Sequence, residues 1–275
     1  MSVRLGGRGA TLVTVGLFLA MWTGASLLLQ PGEEGGLVLL PGPVAVVGAL
    51  VDLVVHEGFL GDVLLSVMRI GLGLFISIVP AFVLGVTFGI RPRLNAAAAP
   101  LFAFAKYVPP VAFIPILILW LGVGLGQQMA LLFIGTFFYL TVMIATTVSG
   151  TPETFRDAAV TLGVTGKQYV GQVILRYGLP EFIEHLRTMI GIAWTYLIVV
   201  EMVAAENGIG RVIISSQRYL ESAKVLAGVL TIGLLGVLSD QVLQTTGWLL
   251  APWKYEEAPI LVRPLARLAA VRRSA

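Results

Sequence analysis

Few side chains in this chain are placed to do chemistry. Cysteine is absent, which excludes disulfides, thiolate catalysis and cysteine metal sites. The two histidines, His56 and His185, stand too far apart in sequence for a metal cluster, and the acidic residues are scattered. No Gly-x-x-x-x-Gly-Lys-Ser/Thr run is present to cradle nucleotide phosphates, so the chain does not hydrolyse ATP itself. What remains are single ionisable residues inside or beside apolar runs. Glu201 closes the run 194–200, Arg69 immediately precedes the run that begins at Ile70, and Lys106 stands just before Pro109-Pro110. A charge within a membrane is costly and functional by default, so these three are candidates for a translocation path or gate.

Each has two readings. Arg69 and Glu201 should lie at similar outer depth, where they either pair, neutralising each other or forming part of a gate, or separately snorkel to interfacial water. Lys106 sits at a helix break made by two prolines. A cation there favours an anionic solute, since broken helices are common near transport sites; alternatively it reaches the inner headgroups. Thr136, Tyr139, Trp194, Thr195 and Tyr196 supply polar edges on two apolar runs, as path-lining groups or as packing and interface-belt residues.

The elements that must position these residues follow from hydropathy. Of 275 residues 57% are hydrophobic and 12% charged, with mean hydropathy +0.93, against about 25% charged in a soluble domain. Six windows are long and apolar enough to cross a bilayer as helices: roughly 11–29, 70–90, 100–121, 129–148, 188–204 and 225–249. The first is too long for a cleaved signal core and reads as a retained span. Segment 40–57, with Val44, Val47, Val51, Val54 and Val55 near one face and Asp52, His56 and Glu57 off it, reads as an amphipathic helix on the outer surface. The expected architecture is an all-α membrane protein forming a single domain over 1–275, with core spans about 60–250 and a tail at 252–275.

Charge placement orients it. With a cytoplasmic N-terminus the inner connections hold Arg4, Arg8, Arg91, Arg93, Arg156, Lys167, Arg176, Arg187, Lys254, Arg263, Arg267, Arg272 and Arg273. The outer ones hold only Arg69, Arg211, Arg218 and Lys224. Lysine and arginine concentrate on the cytoplasmic side, so both termini are expected there.

That places the long connection 150–187 in the cytoplasm. Within it Thr151 can cap a helix, Pro152 suits its first position, Glu153 complements its positive end, and Gly163 is a natural stop. Phe155, Ala158, Ala159 and Leu162 fall on one stripe, and Thr165 and Gln168 have the spacing of a second capped helix. A helix of about ten residues is too short to stand alone in water. It either docks in a groove of another protein or packs on its own membrane domain.

The run Asp157-Ala158-Ala159-Val160-Thr161-Leu162-Gly163 resembles the "EAA" loop of permeases in ATP-binding-cassette importers, with aspartate where glutamate is commoner. At the family's Leu-Pro position the chain reads Leu175-Arg176, and a proline follows at Leu179-Pro180. Further matches are Leu39-Leu40-Pro41-Gly42-Pro43, Lys106-Tyr107-Val108-Pro109-Pro110, Ile118-Leu119-Trp120-Leu121-Gly122-Val123-Gly124 and Trp194-Thr195-Tyr196-Leu197-Ile198-Val199-Val200-Glu201. They look like the nitrate/sulfonate/taurine/bicarbonate branch of type I importers. The resemblance implies a MetI-like permease fold and a bacterial inner-membrane location. It also implies a second permease copy, two cytoplasmic ATPase subunits that bind the ATP and magnesium, and an external substrate-binding protein. It implies ATPase coupling by Glu153, Phe155, Asp157, Ala158, Ala159, Leu162 and Gly163. No cofactor, metal or nucleic acid is expected on this chain itself. A standalone channel, a secondary carrier or a membrane-embedded enzyme would leave the docking helix without a partner.

Overall fold

The computed structural model describes residues 7–29, 40–204 and 206–254. Arg4, Leu39, Ala205 and the tail from residue 255 onward, including Arg263, Arg267, Arg272 and Arg273, lie outside the described residues. Described secondary structure is helical throughout: α1 Gly7–Leu28, α2 Pro43–His56, α3 Phe59–Ile90, α4 Pro92–Tyr107, α5 Ile114–Leu121, α6 Leu125–Ser149, α7 Glu153–Thr161, the single turn α8 Lys167–Tyr169, α9 Leu175–Ala204, α10 Ile209–Arg218 and α11 Ser222–Leu250.

Small residues let α3 and α6 approach closely. Gly73, Ser77, Ala81, Gly85 and Gly89 recur every four residues along α3 and make one low ridge. A Cβ at Gly85 would lie 2.7 Å from Ile144 Cβ, so nothing larger than glycine fits there. Gly73 meets Leu132, Gly85 meets Ile144 and Gly89 meets Val148, numbers that rise together, so the two helices run parallel. Helix α9 runs the other way against α6: Tyr196 covers Gly135, and Thr147 Oγ1 lies 2.7 Å from His185 Nε2. Helix α11 is antiparallel to α9, pinned by the Arg187 fork on Asp240 at 2.7 and 2.9 Å and by Lys254 on Glu181 at 2.6 Å. The alternation required of successive spans is thus present in the packing itself.

Four expected boundaries change. Residues 100–121 are not one straight span: α4 starts at Pro92, and the pair Pro92–Tyr107 and Pro110–Leu121 bends by 82° where Pro109 and Pro110 deny backbone donors. The helix that carries the span expected at 188–204 begins at Lys167, because α8, a wide π turn at Val170–Ile174 and α9 run on continuously to Val203; its charged first half, with Lys167, Arg176, Glu181, Glu184 and Arg187, precedes the apolar span. The connection 150–187 therefore shrinks to residues 150–166. The second span begins at Phe59 instead of 70. On α2, Val46, Leu53 and in part Val54 pack on the protein, while Val44, Val47, Val51 and Val55 face outward. Lys224 ties this helix to α11, meeting Glu57 at 2.6 Å and Asp52 at 3.5 Å. Helix α1 touches the rest mainly through Trp22 Nε1 on Pro41 O and Ser26 Oγ on Leu40 O.

Candidate functional site

At the C-terminal end of α9 the chain turns back through Asn207 and Gly208 into α10, a short helix whose side chains Ile209, Val212 and Ile213 are buried. Its first backbone N–H groups have no carbonyl within the helix to meet. Helix α3 supplies the acceptors from one face: Asp62, Ser66 and Arg69 stand four and three residues apart. Gly208 N–H donates to Asp62 Oδ1 at 2.5 Å, and Ile209 N–H donates to Ser66 Oγ at 3.1 Å. Gly210 N–H donates to Glu201 Oε2 at 2.9 Å. Carboxylates at a helix N-terminus are stabilised by its dipole, and here two of them are used.

The charges are balanced within the same cluster. Glu201 is 0% exposed and also accepts from Ser66 Oγ, at 2.8 and 3.0 Å, and from Arg69 Nη1 at 2.7 Å. Arg69 Nη1 reaches Asn207 O at 2.7 Å as well, and Arg211 Nη2 meets Asp62 Oδ2 at 3.1 Å. Of the two readings of Arg69 and Glu201, the geometry is the pair. Glycine is required at 208, where φ is +113° and a Cβ would strike the Glu201 carboxylate. The result is a clasp of two acids and two arginines that fastens the α9–α10 corner to α3. Asp62 and Ser66 were not singled out from sequence, whereas the glycine-punctuated run 205–211 read as a turn. The spacing of Asp62, Ser66 and Arg69 along one helical face was the available signal.

At the opposite end lies α7. It starts at Glu153 with Pro152 before it, and Thr151 does not cap it: Thr151 Oγ1 donates back to Val148 O at 3.0 Å. Gly163 stops the helix with φ +71°. The second helix has no Thr165–Gln168 capping box; it begins at Lys167 after Gly166. The stripe is divided. Ala159 is 4% exposed against this chain, and the Phe155 ring meets Tyr177 at 5.3 Å between centroids. Leu162 is 79% and Val160 61% exposed, with Glu153, Asp157 and Ala158 also outward. So α7 is seated on its own chain by one edge and offers an apolar edge to something else.

Lys106 and Tyr139 come together: Tyr139 OH donates to Lys106 O at 2.7 Å, and Lys106 Nζ lies 5.8 Å from the ring centroid. Lys106 has no carboxylate partner among the described residues. It lines a cleft of about 250 Å³ between α4 and α6 that also carries Asn95, Thr146 and Ser149. Thr136 and Trp194 are buried between helices, with Thr136 Oγ1 on Leu132 O and Trp194 Nε1 on Ser239 Oγ. Thr195 is exposed, and Tyr196 is half-buried over Gly135.

Comparison with known proteins agrees with this architecture. Residues 73–245 match the model of the binding-protein-dependent transport system inner membrane component family. The taurine transport system permease protein TauC of Escherichia coli K12 is 29% identical over 246 residues, covering 87% of each chain. The nitrate import permease protein NrtB of Synechococcus elongatus is 23% identical, covering 87% of this chain and 88% of its own. Among solved structures, an inward-facing MetNI methionine ABC transporter chain shares the fold at TM-score 0.55 and 18% identity, covering 67% of this chain and 95% of that one. The chain therefore belongs to the binding-protein-dependent transport system inner membrane components, as a multi-pass inner-membrane translocation subunit of an ATP-binding-cassette importer in the branch of the taurine and nitrate permeases.

Proposed function

We propose that this chain, paired with a second permease copy, forms the path for a small solute bearing an oxyanion group. An external binding protein delivers the solute, and two cytoplasmic ATPase subunits, which hold the ATP and magnesium, drive its passage. The taurine and nitrate named for the relatives share a compact oxyanion, and Lys106 in its cleft supplies the matching charge. Both termini face the cytoplasm in this reading, supported by the lysine and arginine asymmetry. The observation that carries the proposal is α7. It is a nine-residue helix, too short to persist alone, held by Ala159 and Phe155 and leaving Val160 and Leu162 outward. Glu153, Asp157, Ala158 and Gly163 complete the edge that enters the ATPase, in the helix-in-groove manner.

Leu162→Glu tests it. The side chain is exposed, so the chain should insert and fold as before, while the ATPase no longer co-purifies and uptake into proteoliposomes falls at least ten-fold. Retention of both the ATPase and uptake would refute the docking role.

A further inference from the structure

Arg91 follows the last residue of the apolar helix α3 and Lys167 opens α8, and the two cations lie on one face of the molecule. Neither has a carboxylate partner among the described residues, whereas Arg187, Lys224 and Lys254 each hold one. Arg91 and Lys167 line one groove of about 760 Å³, together with Ile90, Tyr169, Val170 and Leu175. The helix wall there is wound wide at Val170–Ile174, a π turn of the kind frequent at functional sites.

We propose that this groove holds an anionic phospholipid, its phosphate between Arg91 and Lys167 and an acyl chain along Ile90, Val170 and Leu175. Basic pockets between membrane helices bind phospholipid headgroups by this chemistry. A phosphate diester satisfies both cations at once. Free phosphate would do the same, but would leave the apolar lining unused. The groove lies where the apolar helix α3 ends, and Tyr169 adds an amphipathic ring suited to a headgroup boundary.

The test uses the assembled transporter in mild detergent, incubated with phosphatidylglycerol, phosphatidylcholine or inorganic phosphate and examined by native mass spectrometry. Phosphatidylglycerol should be retained over phosphatidylcholine, and retention should weaken as salt rises. Arg91→Gln with Lys167→Gln should lower apparent phosphatidylglycerol affinity roughly 25-fold, about five-fold per cation. Arg91→Lys with Lys167→Arg should retain it, and Arg218→Gln, at the other end of the molecule, should change nothing. Equal retention by the Gln pair, equal binding of phosphatidylcholine, or indifference to salt would each overturn the proposal. Displacement of the lipid by millimolar inorganic phosphate would assign the groove to a free anion and overturn the lipid. Loss of the ATPase from the Gln pair with lipid retention unchanged would make the groove a protein contact instead.

Discussion

Removing Arg69 and the Glu201 charge together should cost less than the sum of the two removals made singly. In Arg69→Met the Glu201 carboxylate stays fully buried and keeps only Ser66 Oγ and Gly210 N–H. Breaking a buried pair from one side costs about 3–5 kcal/mol, because the stranded charge pays its desolvation without compensation. Glu201→Gln keeps one accepting oxygen but turns an amide N–H toward a donor, since Oε1 faces Arg69 and Oε2 faces Gly210 N–H. That leaves a buried polar group unsatisfied, a loss of about 1–3 kcal/mol. The double variant has no stranded charge, so its loss should fall about 1.5–3 kcal/mol short of the sum, within the range measured for coupled neighbours. Equilibrium unfolding in mixed micelles, followed by tryptophan fluorescence, reads all three. Additivity within about 0.5 kcal/mol would refute the view that Glu201 depends on Arg69. The charge swap Arg69→Glu with Glu201→Arg is not expected to rescue, because an arginine at 201 cannot accept from Gly210 N–H or Ser66.

Gly208→Ala should destabilise the protein by more than Gly122→Ala in the same unfolding assay. Both positions have positive φ, but only at 208 does the new methyl strike the Glu201 carboxylate, whereas nothing lies within 4 Å at 122. Equal losses, each about 1–3 kcal/mol from backbone strain alone, would show that the clasp tolerates the intrusion. Lys106→Gln should raise the solute concentration needed for half-maximal uptake at least five-fold while leaving ATPase co-purification intact. Unchanged uptake kinetics would remove Lys106 from the path.

Hydropathy made most of the fold legible, because lipid tolerates few alternatives to a long apolar helix. It gave the apolar part of α9 but not its continuity with the helix before it, because Glu181, Glu184, His185 and Arg187 depress local hydropathy. In the structure Glu181 and Arg187 are neutralised by Lys254, just beyond the end of α11, and by Asp240 on α11, far away in sequence. A window average cannot register a charge whose partner comes from another helix. The bend at Pro109 was readable from the two prolines; its 82° angle was not, since that depends on what α5 packs against. The inner helix was legible because its signals are local: a turn at Gly163, an acid at its start, a short apolar stripe. The outer clasp was only half legible. Arg69 and Glu201 stood out as charges beside apolar runs, but the backbone N–H groups of α10 that complete the site carry no side-chain signature.

Both ends of the proposed machinery meet on one element. From the π turn at Val170–Ile174, α9 continues through Tyr177, which backs Phe155 of α7, to Glu201, which holds α10 and α3. The 24 residues from Tyr177 to Glu201 span about 36 Å at about 1.5 Å each, comparable to the thickness of a bilayer. Along that length Gly135 admits the Tyr196 ring, and Arg187 and Trp194 bind α11, so the helix is packed on two sides beyond Pro180. In the proposed transporter, a displacement imposed on α7 would reach the clasp through tilt or rotation of this one helix. The clasp's many short polar contacts respond to such a movement more steeply than apolar packing would, because a hydrogen bond weakens sharply once its donor angle is lost.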